Sequence, residues 1–290
     1  MANASKNRTI VIMLSLGIPN FAASADADLI KVMPLGNGLT AGGSATHNGG
    51  YRFPLWELIE TGPLAGTIDF VGSLQKGPNP PSAANFFFDP DHEGHSGNTV
   101  AETLTNVGPN NTSTIEDVLN AEIPDVILLH IGTVNAAQGN HTNANAVPTA
   151  LADLQELIDR TFATLPSVKL CLALIVGPED DNSTNYQFVE DYNAGIPAIV
   201  SQELSDGNDV STVDIFGGSG ISYGIGSSDF VDPFNLSDAG YDKMADVWYQ
   251  HFLDVGVPEP ATLSFVGCAL LLCDAKCSLP TRFDSARRGR

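Results

Sequence analysis

Cysteine is scarce in this chain, and scarcest where a fold would use it. Of four cysteines, Cys171 stands alone in the body while Cys268, Cys273 and Cys277 crowd near the C-terminus. That is neither a disulfide framework nor a paired zinc-ligand set. Basic side chains are equally sparse: between residues 26 and 258 only Lys31, Arg52, Lys76, Arg160, Lys169 and Lys243 face 31 acidic ones, a formal charge of −25 for the body against −21 for all 290 residues. Such a surface repels phosphate backbones and anionic headgroups, so nucleic acid and an anionic membrane surface are excluded as partners while neutral or cationic ligands stay open. No apolar run approaches the roughly 20 residues of a membrane-spanning helix. Apolar material is plentiful, at 43% hydrophobic against 16% charged residues, which suits one core in a single domain of roughly 200–250 residues plus end segments.

The two ends differ from the body. Met1 to Ala25 has a short polar start with Lys6 and Arg8, an apolar stretch from Thr9 to Ile18, and small residues at Ala23-Ser24-Ala25 and Ala25-Asp26-Ala27. This is the three-part layout of a secretory signal peptide; a disordered apolar N-terminus is the alternative. At the other end Val257-Pro258-Glu259-Pro260-Ala261-Thr262-Leu263 precedes an apolar segment from Ser264 to Cys273 and a tail with Arg282, Arg287, Arg288 and Arg290. That end resembles the bacterial PEP-CTERM sorting signal, departing from it in a short apolar segment followed by Asp274, Lys276 and Pro280. The expected organisation is a signal peptide over 1–25, one domain over 28–256 and a sorting tail over 257–290, with a secreted or cell-surface location.

Within the body, apolar runs and helical spacing alternate. Ile30 to Leu35, Ile68 to Val71, Asp125 to Ile131, Val168 to Val176 and Val210 to Phe216 read as strands, short and almost wholly apolar as in a parallel sheet covered on both faces. Between them, Tyr51 to Glu60 and Thr149 to Leu165 carry apolar residues at helical spacing. Ser113 with Glu116 has capping-box spacing ahead of Ile115, Val118 and Leu119. Asn185 to Leu204 reads as a helix with a break near Gly195 and Pro197, and Ser237 caps a last helix through Leu253. Gly72 to Gly108 and Gly217 to Gly226 read as long loops. The fold class is therefore α/β, a three-layer α/β/α sandwich on a mainly five-stranded parallel sheet of flavodoxin-like kind. Its ligand crevice is expected beyond the carboxyl ends of the strands.

The blocks IKVMPLGNGLTAG at 30–42, GGYRFPLWELI at 49–59, IDFVGSL at 68–74, FDPDHEGHSGNTV at 88–100, DVILLHIGT at 125–133 and LSDAGYDKMADVWY at 236–249 together resemble the SGNH (GDSL-type) hydrolases. The likeness is to the branch of secreted acetyl xylan esterases and related carbohydrate deacetylases. It implies ester hydrolysis by a serine nucleophile, a His base oriented by an Asp three residues earlier, and an oxyanion hole of backbone N–H groups plus an Asn, with no cofactor and no metal. Matched residue by residue, the Gly-Asp-Ser block reads Gly36-Asn37-Gly38, which puts Gly38 at the nucleophile. Gly97 keeps the oxyanion glycine, and Gly132-Thr133-Val134-Asn135 puts Val134 at the oxyanion Asn. Asp232-Pro233-Phe234-Asn235 keeps the Asp and replaces the base by Asn235, an amide with no proton-accepting nitrogen near neutral pH. A one-residue slip that brought Asn135 to the oxyanion position would need a local bulge.

The resulting expectation is a secreted esterase homologue that has lost catalysis and binds neutral or acetylated polysaccharide. Asn37, Asn135, Arg52, Tyr51 and Thr133 are expected around the groove, with Phe86, Phe87, Phe88 and Phe234 as either sugar contacts or core. Two other readings stay open: an active acylesterase using a displaced pair, Ser96 with His95 or Ser44 with His47, and a structural cell-surface protein. His92 and His95 beside Asp89, Asp91 and Glu93 read as a hydrogen-bonded loop, with a divalent metal site as the alternative. His130 reads as a core histidine, His251 as a surface one, and Asp232, without its His, as a cap for the following helix or a partner of loop amides.

Overall fold

A computed structural model describes residues 29–78, 87–138 and 143–255. The expected signal peptide over 1–25, the sorting tail over 257–290 and Phe86 lie outside the described residues. In chain order the elements are β1 (Ile30–Gly36), α1 (Gly38–Ala41), α2 (Arg52–Thr61), β2 (Ile68–Phe70), β3 (Leu74–Gln75), β4 (Asp91–Gly94), α3 (Val100–Thr103), α4 (Ile115–Glu122), β5 (Val126–His130), α5 (Thr133–Gln138), α6 (Ala146–Thr164), β6 (Lys169–Ala173), α7 (Thr184–Ser205), β7 (Val210–Val213), α8 (Ile215–Gly218), β8 (Phe230–Asp232), β9 (Asn235–Leu236) and α9 (Asp238–Val255).

The five strands expected from apolar runs form the parallel heart of the sheet. β1 pairs with β5, β5 with β6 and β6 with β7, all parallel. On its other edge β1 is shared, with β2 beside Ile30 to Val32 and β4 beside Leu35 and Gly36. β4 and its antiparallel neighbour β3 fall in the stretch expected to be loop, and among the described residues they extend the five expected strands to a sheet of seven.

Alternation along the strands sorts the core into two layers. Met33, Leu35, Ile127, Leu129, Leu170 and Leu172 face one side with Val118 and Leu119 of α4, Leu154, Leu157 and Ile158 of α6, and Val189 and Ile196 of α7. Val32, Val126, Leu128, Cys171 and Ala173 face the other, covered by Leu55 and Ile59 of α2 and by Tyr241, Met244 and Trp248 of α9. Strands buried on both faces need apolar residues at every position, and the continuous runs in the sequence are that requirement.

Two helix details depart from expectation. The capping box before α4 is Thr114 with Asp117, not Ser113 with Glu116. The Ser113 backbone is used in a bridge to Val107, and Glu116 reaches across to Arg160 of α6. α7 runs unbroken through Gly195 and Pro197. The absent Cβ at Gly195 leaves room for Leu151 of α6. One turn before Pro197, Asn193 fastens the helix to the sheet by hydrogen bonds to both backbone groups of Ile175, at 2.8 and 2.9 Å.

Candidate functional site

At the carboxyl ends of β1, β4 and β5 the chain encloses a cavity of about 500 Å³. Its walls come from five places in the sequence: Asn37 to Leu39, Gly43 and Ser44, Ser96 and Gly97, Thr133, Val134 and Ala137, and the β8–β9 hairpin with Asp232, Phe234 and Asn235. β1 can deliver Asn37 here because residue 36 is glycine. A Cβ on Gly36 would collide with the His130 carbonyl of β5, so the strand end lies flush against its neighbour.

Gly38 opens α1 on the cavity wall, and a Cβ built there meets nothing within 4 Å. The wall has room for a side chain that the sequence does not supply. Also on the wall, Asn235 Nδ2 donates to both Asp232 carboxylate oxygens, at 3.1 and 3.0 Å. The backbone N–H groups of Phe234 and Asn235 donate to Asp232 Oδ1, each at 3.0 Å. Asp232 is therefore the cap of its own turn, surrounded by amide donors rather than by a cation. Gly97 lines the cavity at φ +91°, a backbone conformation glycine adopts readily. Thr133 Oγ1 donates to Asn37 Oδ1 at 3.0 Å, joining the β1 and β5 loops across the floor.

Gly38, Gly97, Val134, Asp232, Asn235, Asn37 and Thr133 thus surround one space. Asn135 and Arg52, expected to bind ligand, do not. Asn135 Oδ1 accepts the Val100 N–H at 3.0 Å and so caps α3, while Val134, its neighbour in α5, lines the cavity. Arg52 is fully buried and donates to the carbonyls of Thr40, Pro90 and Lys76 at 2.9–3.0 Å. It ties three loops together from inside, and its cation lies 5.7 Å from the Phe88 ring centre. Tyr51 is likewise core, against Trp248. Of the three of these phenylalanines among the described residues, Phe88 is buried, Phe87 is exposed, and Phe234 lines the cavity.

The substitute serine–histidine pairs do not form. Ser44 lines the cavity, but its hydroxyl lies 3.0 Å from the Leu236 carbonyl and 3.0 Å from the Tyr241 hydroxyl. Burial pushes that phenol up to about 12, so it is no base. His47 accepts the Gly49 N–H on Nδ1 and turns Nε2 toward Asp238. Ser96 also lines the cavity, but both nitrogens of neighbouring His95 are engaged, with Glu93 at 2.6 Å and Asn111 at 2.7 Å. Burial pushes the Glu93 carboxyl up, but hydrogen bonds from His95 and from the Ser73 and Gly108 N–H groups outweigh it and hold the group below its ordinary range. The acidic, His-rich stretch is a hydrogen-bonded framework that lets β4 enter the sheet. Among the described residues no three His, Cys, Asp or Glu side chains are grouped to hold a metal.

Two other histidines sit away from the cavity lining. His130 is fully buried; burial lowers it to about 4, and its Nε2 accepts the Val176 N–H at 3.3 Å. His251 is half-buried rather than on the surface, 2.9 Å from the Ser211 hydroxyl on β7.

No family model matches the chain. Against solved structures, the Clostridium thermocellum family 3 carbohydrate esterase superposes with a TM-score of 0.61 at 33% sequence identity, covering 79% of this chain and 97% of that one. The chain belongs to that family. It is accordingly a family 3 carbohydrate esterase by descent, in the SGNH (GDSL-type) group of hydrolases. Two curated proteins are similar over parts of their length. One, from Acetivibrio thermocellus and provisionally named endoglucanase X, is 32% identical over 147 residues. The other, a multidomain esterase of Ruminococcus flavefaciens, is 26% identical over 242 residues. The matches cover 58% and 29% of those two proteins, respectively.

Proposed function

We propose that this member of the carbohydrate esterases is an exported protein that holds neutral, acetylated polysaccharide in its cavity without cleaving it. The observation that carries the reading is the pair Gly38 and Asn235, both on the wall of one cavity at the positions that the family resemblance gives to nucleophile and base. A glycine brings no hydroxyl, and an amide bonded to a carboxylate takes no proton. Among the described residues, neither Ser44 nor Ser96 has a free imidazole beside it.

What remains suits a sugar ester. Asn37, Ser44, Ser96, Thr133 and Asn235 bring hydrogen-bonding groups, while Leu39, Val134, Ala137 and Phe234 bring apolar surface for a ring face or an acetyl methyl. Among the described residues the one charged side chain on the wall is Asp232, and a body charge of −25 works against polyuronates at low salt. The signal-peptide layout of residues 1–25 supports a place outside the cytoplasm, where such polymers are met.

The test is calorimetric titration of the full chain with acetylated xylo-oligosaccharides, their deacetylated forms and oligogalacturonate in low salt. Saturable binding that weakens on deacetylation is expected. Binding of none of the three, or tighter binding of oligogalacturonate, would contradict the reading and favour a surface protein with no glycan ligand.

A further inference from the structure

From the backbone at the cavity floor we infer that Asn37 is a site of spontaneous covalent modification, in which its side chain closes onto the Gly38 nitrogen and the asparagine is converted to aspartate or isoaspartate. The Asn-Gly dipeptide is the sequence requirement, because a glycine places no side chain against the attacking nitrogen. The structure adds four features that act together.

First, Asn37 has φ −114° and ψ −139°. The Cβ of an L-residue is offset by about 120° from its nitrogen around the Cα–C bond, so at this ψ the Cα–Cβ bond lies within about 20° of eclipsing the bond to the Gly38 nitrogen. Side chain and attacking nitrogen are on the same side, as a five-membered ring requires. Second, Gly38 is the first residue of α1, and its N–H donates to no acceptor among the described residues. Third, the Thr133 hydroxyl donates to Asn37 Oδ1 at 3.0 Å, placed to stabilise the negative charge that grows on that oxygen during attack. Fourth, Asn37 Nδ2 is buried and has no hydrogen-bond partner among the described residues, so the leaving ammonia gives up none of them. The adjoining cavity of about 500 Å³ admits the water that the later step consumes.

The balance is simple. The Gly38 nitrogen, losing its proton to solvent, forms a bond to Asn37 Cγ; Nδ2 takes up a proton from solvent, the Cγ–Nδ2 bond breaks and ammonia departs, leaving a succinimide. Water then opens the ring. Attack at Cγ leaves an ordinary aspartate at this position, and attack at the main-chain carbonyl carbon leaves isoaspartate. Nothing is oxidised or reduced. Either product adds a carboxylate to a cavity whose wall, among the described residues, otherwise carries only that of Asp232.

The chain has its own reference site. Asn48–Gly49 is also Asn-Gly and Asn48 is exposed, but its φ is +56° and the Gly49 N–H is held by His47 Nδ1 at 3.2 Å. The experiment is incubation of the full chain in mildly alkaline buffer, with peptide mapping by mass spectrometry for the gain of about 1 Da and methylation by protein isoaspartyl methyltransferase to reveal isoaspartate. Conversion at Asn37 is expected to run several-fold faster than at Asn48. Gly38→Ala should slow it about tenfold or more, without disturbing the fold, since a Cβ there meets nothing within 4 Å; circular dichroism checks this. Thr133→Val should slow it several-fold. An Asn37 that stays intact, whether or not Asn48 converts, overturns the inference. So does a folded Gly38→Ala variant that converts at the wild-type rate.

Discussion

Restoring three side chains should return ester hydrolysis to this cavity, and the structure says which three. Gly38→Ser places a hydroxyl where a Cβ meets nothing within 4 Å, on a helical residue with no positive φ, so the new side chain enters without displacing a neighbour. Asn235→His puts an imidazole on Asp232, whose carboxylate already sits 3.0–3.1 Å from the Asn235 amide that the ring would replace. Val134→Asn returns an amide donor to the wall beside Gly97. Asn135 is left alone because it caps α3, and Asn37 because it accepts the Thr133 hydroxyl. Nucleophile and base act as a unit worth about a millionfold in kcat, and an oxyanion donor about a hundred- to a thousandfold. Gly38→Ser alone and Asn235→His alone should therefore stay at background, while the triple variant rises several orders of magnitude above wild type in kcat/KM for p-nitrophenyl acetate. Labelling by a fluorophosphonate should appear at residue 38 in the same variant. A triple variant with wild-type circular dichroism and melting temperature, yet activity within tenfold of wild type, would refute the reasoning and show that the loops no longer hold the groups in line.

The interior and the loops make further predictions. His130 is buried neutral with its pKa lowered to about 4, so between about 6.5 and 4 the unfolded chain binds a proton the native state refuses, and stability is lost as pH falls through that window. Removing the titration with His130→Gln, which keeps an acceptor for Val176, should flatten the loss by on the order of 3 kcal/mol in urea unfolding at pH 7 and 4.5; identical slopes in both proteins would contradict it. Arg52→Ala strips the donors from three carbonyls and should cost about 3–5 kcal/mol, with Arg52→Lys recovering little because one ammonium does not reproduce the guanidinium fork. A loss under about 1 kcal/mol would mean the loops hold without it. Asn135→Ala should cost about 1 kcal/mol through the α3 cap and leave glycan titration unchanged; weakened binding at unchanged stability would return Asn135 to the cavity.

The parallel strands were legible because a sheet covered on both faces demands uninterrupted apolar runs, and DVILLHI at 125–131 is such a run. β4 was not, because its residues are Asp91-His92-Glu93-Gly94. They lie in the sheet through hydrogen bonds that no periodicity records: Glu93 with His95, Ser73 and Gly108, and His92 Nδ1 with the Gly94 N–H. The β8–β9 hairpin has strands of three and two residues, too short for any pattern. α3 left a readable signature, Thr99 with Glu102 in a capping box, inside a stretch that otherwise reads as loop. Burial decided the roles that spacing left open. Arg52 and Tyr51 stand among family-like residues in the sequence but point into the core, whereas Gly38, Val134 and Asn235, far apart in the chain, meet across one cavity. Which of two neighbouring α5 residues, Val134 or Asn135, lines the cavity goes with the bond of Asn135 to the Val100 N–H of α3, and that is tertiary information.

The most direct measurement is acetate release by the purified wild-type full chain from p-nitrophenyl acetate and from acetylated xylo-oligosaccharides, with fluorophosphonate labelling followed by mass spectrometry. Because position 38 offers no hydroxyl and position 235 no imidazole, release should equal the uncatalysed background and no serine should be labelled. Turnover well above background together with stoichiometric labelling of Ser44 or Ser96 would contradict a binding-only cavity and assign the chemistry to a displaced serine.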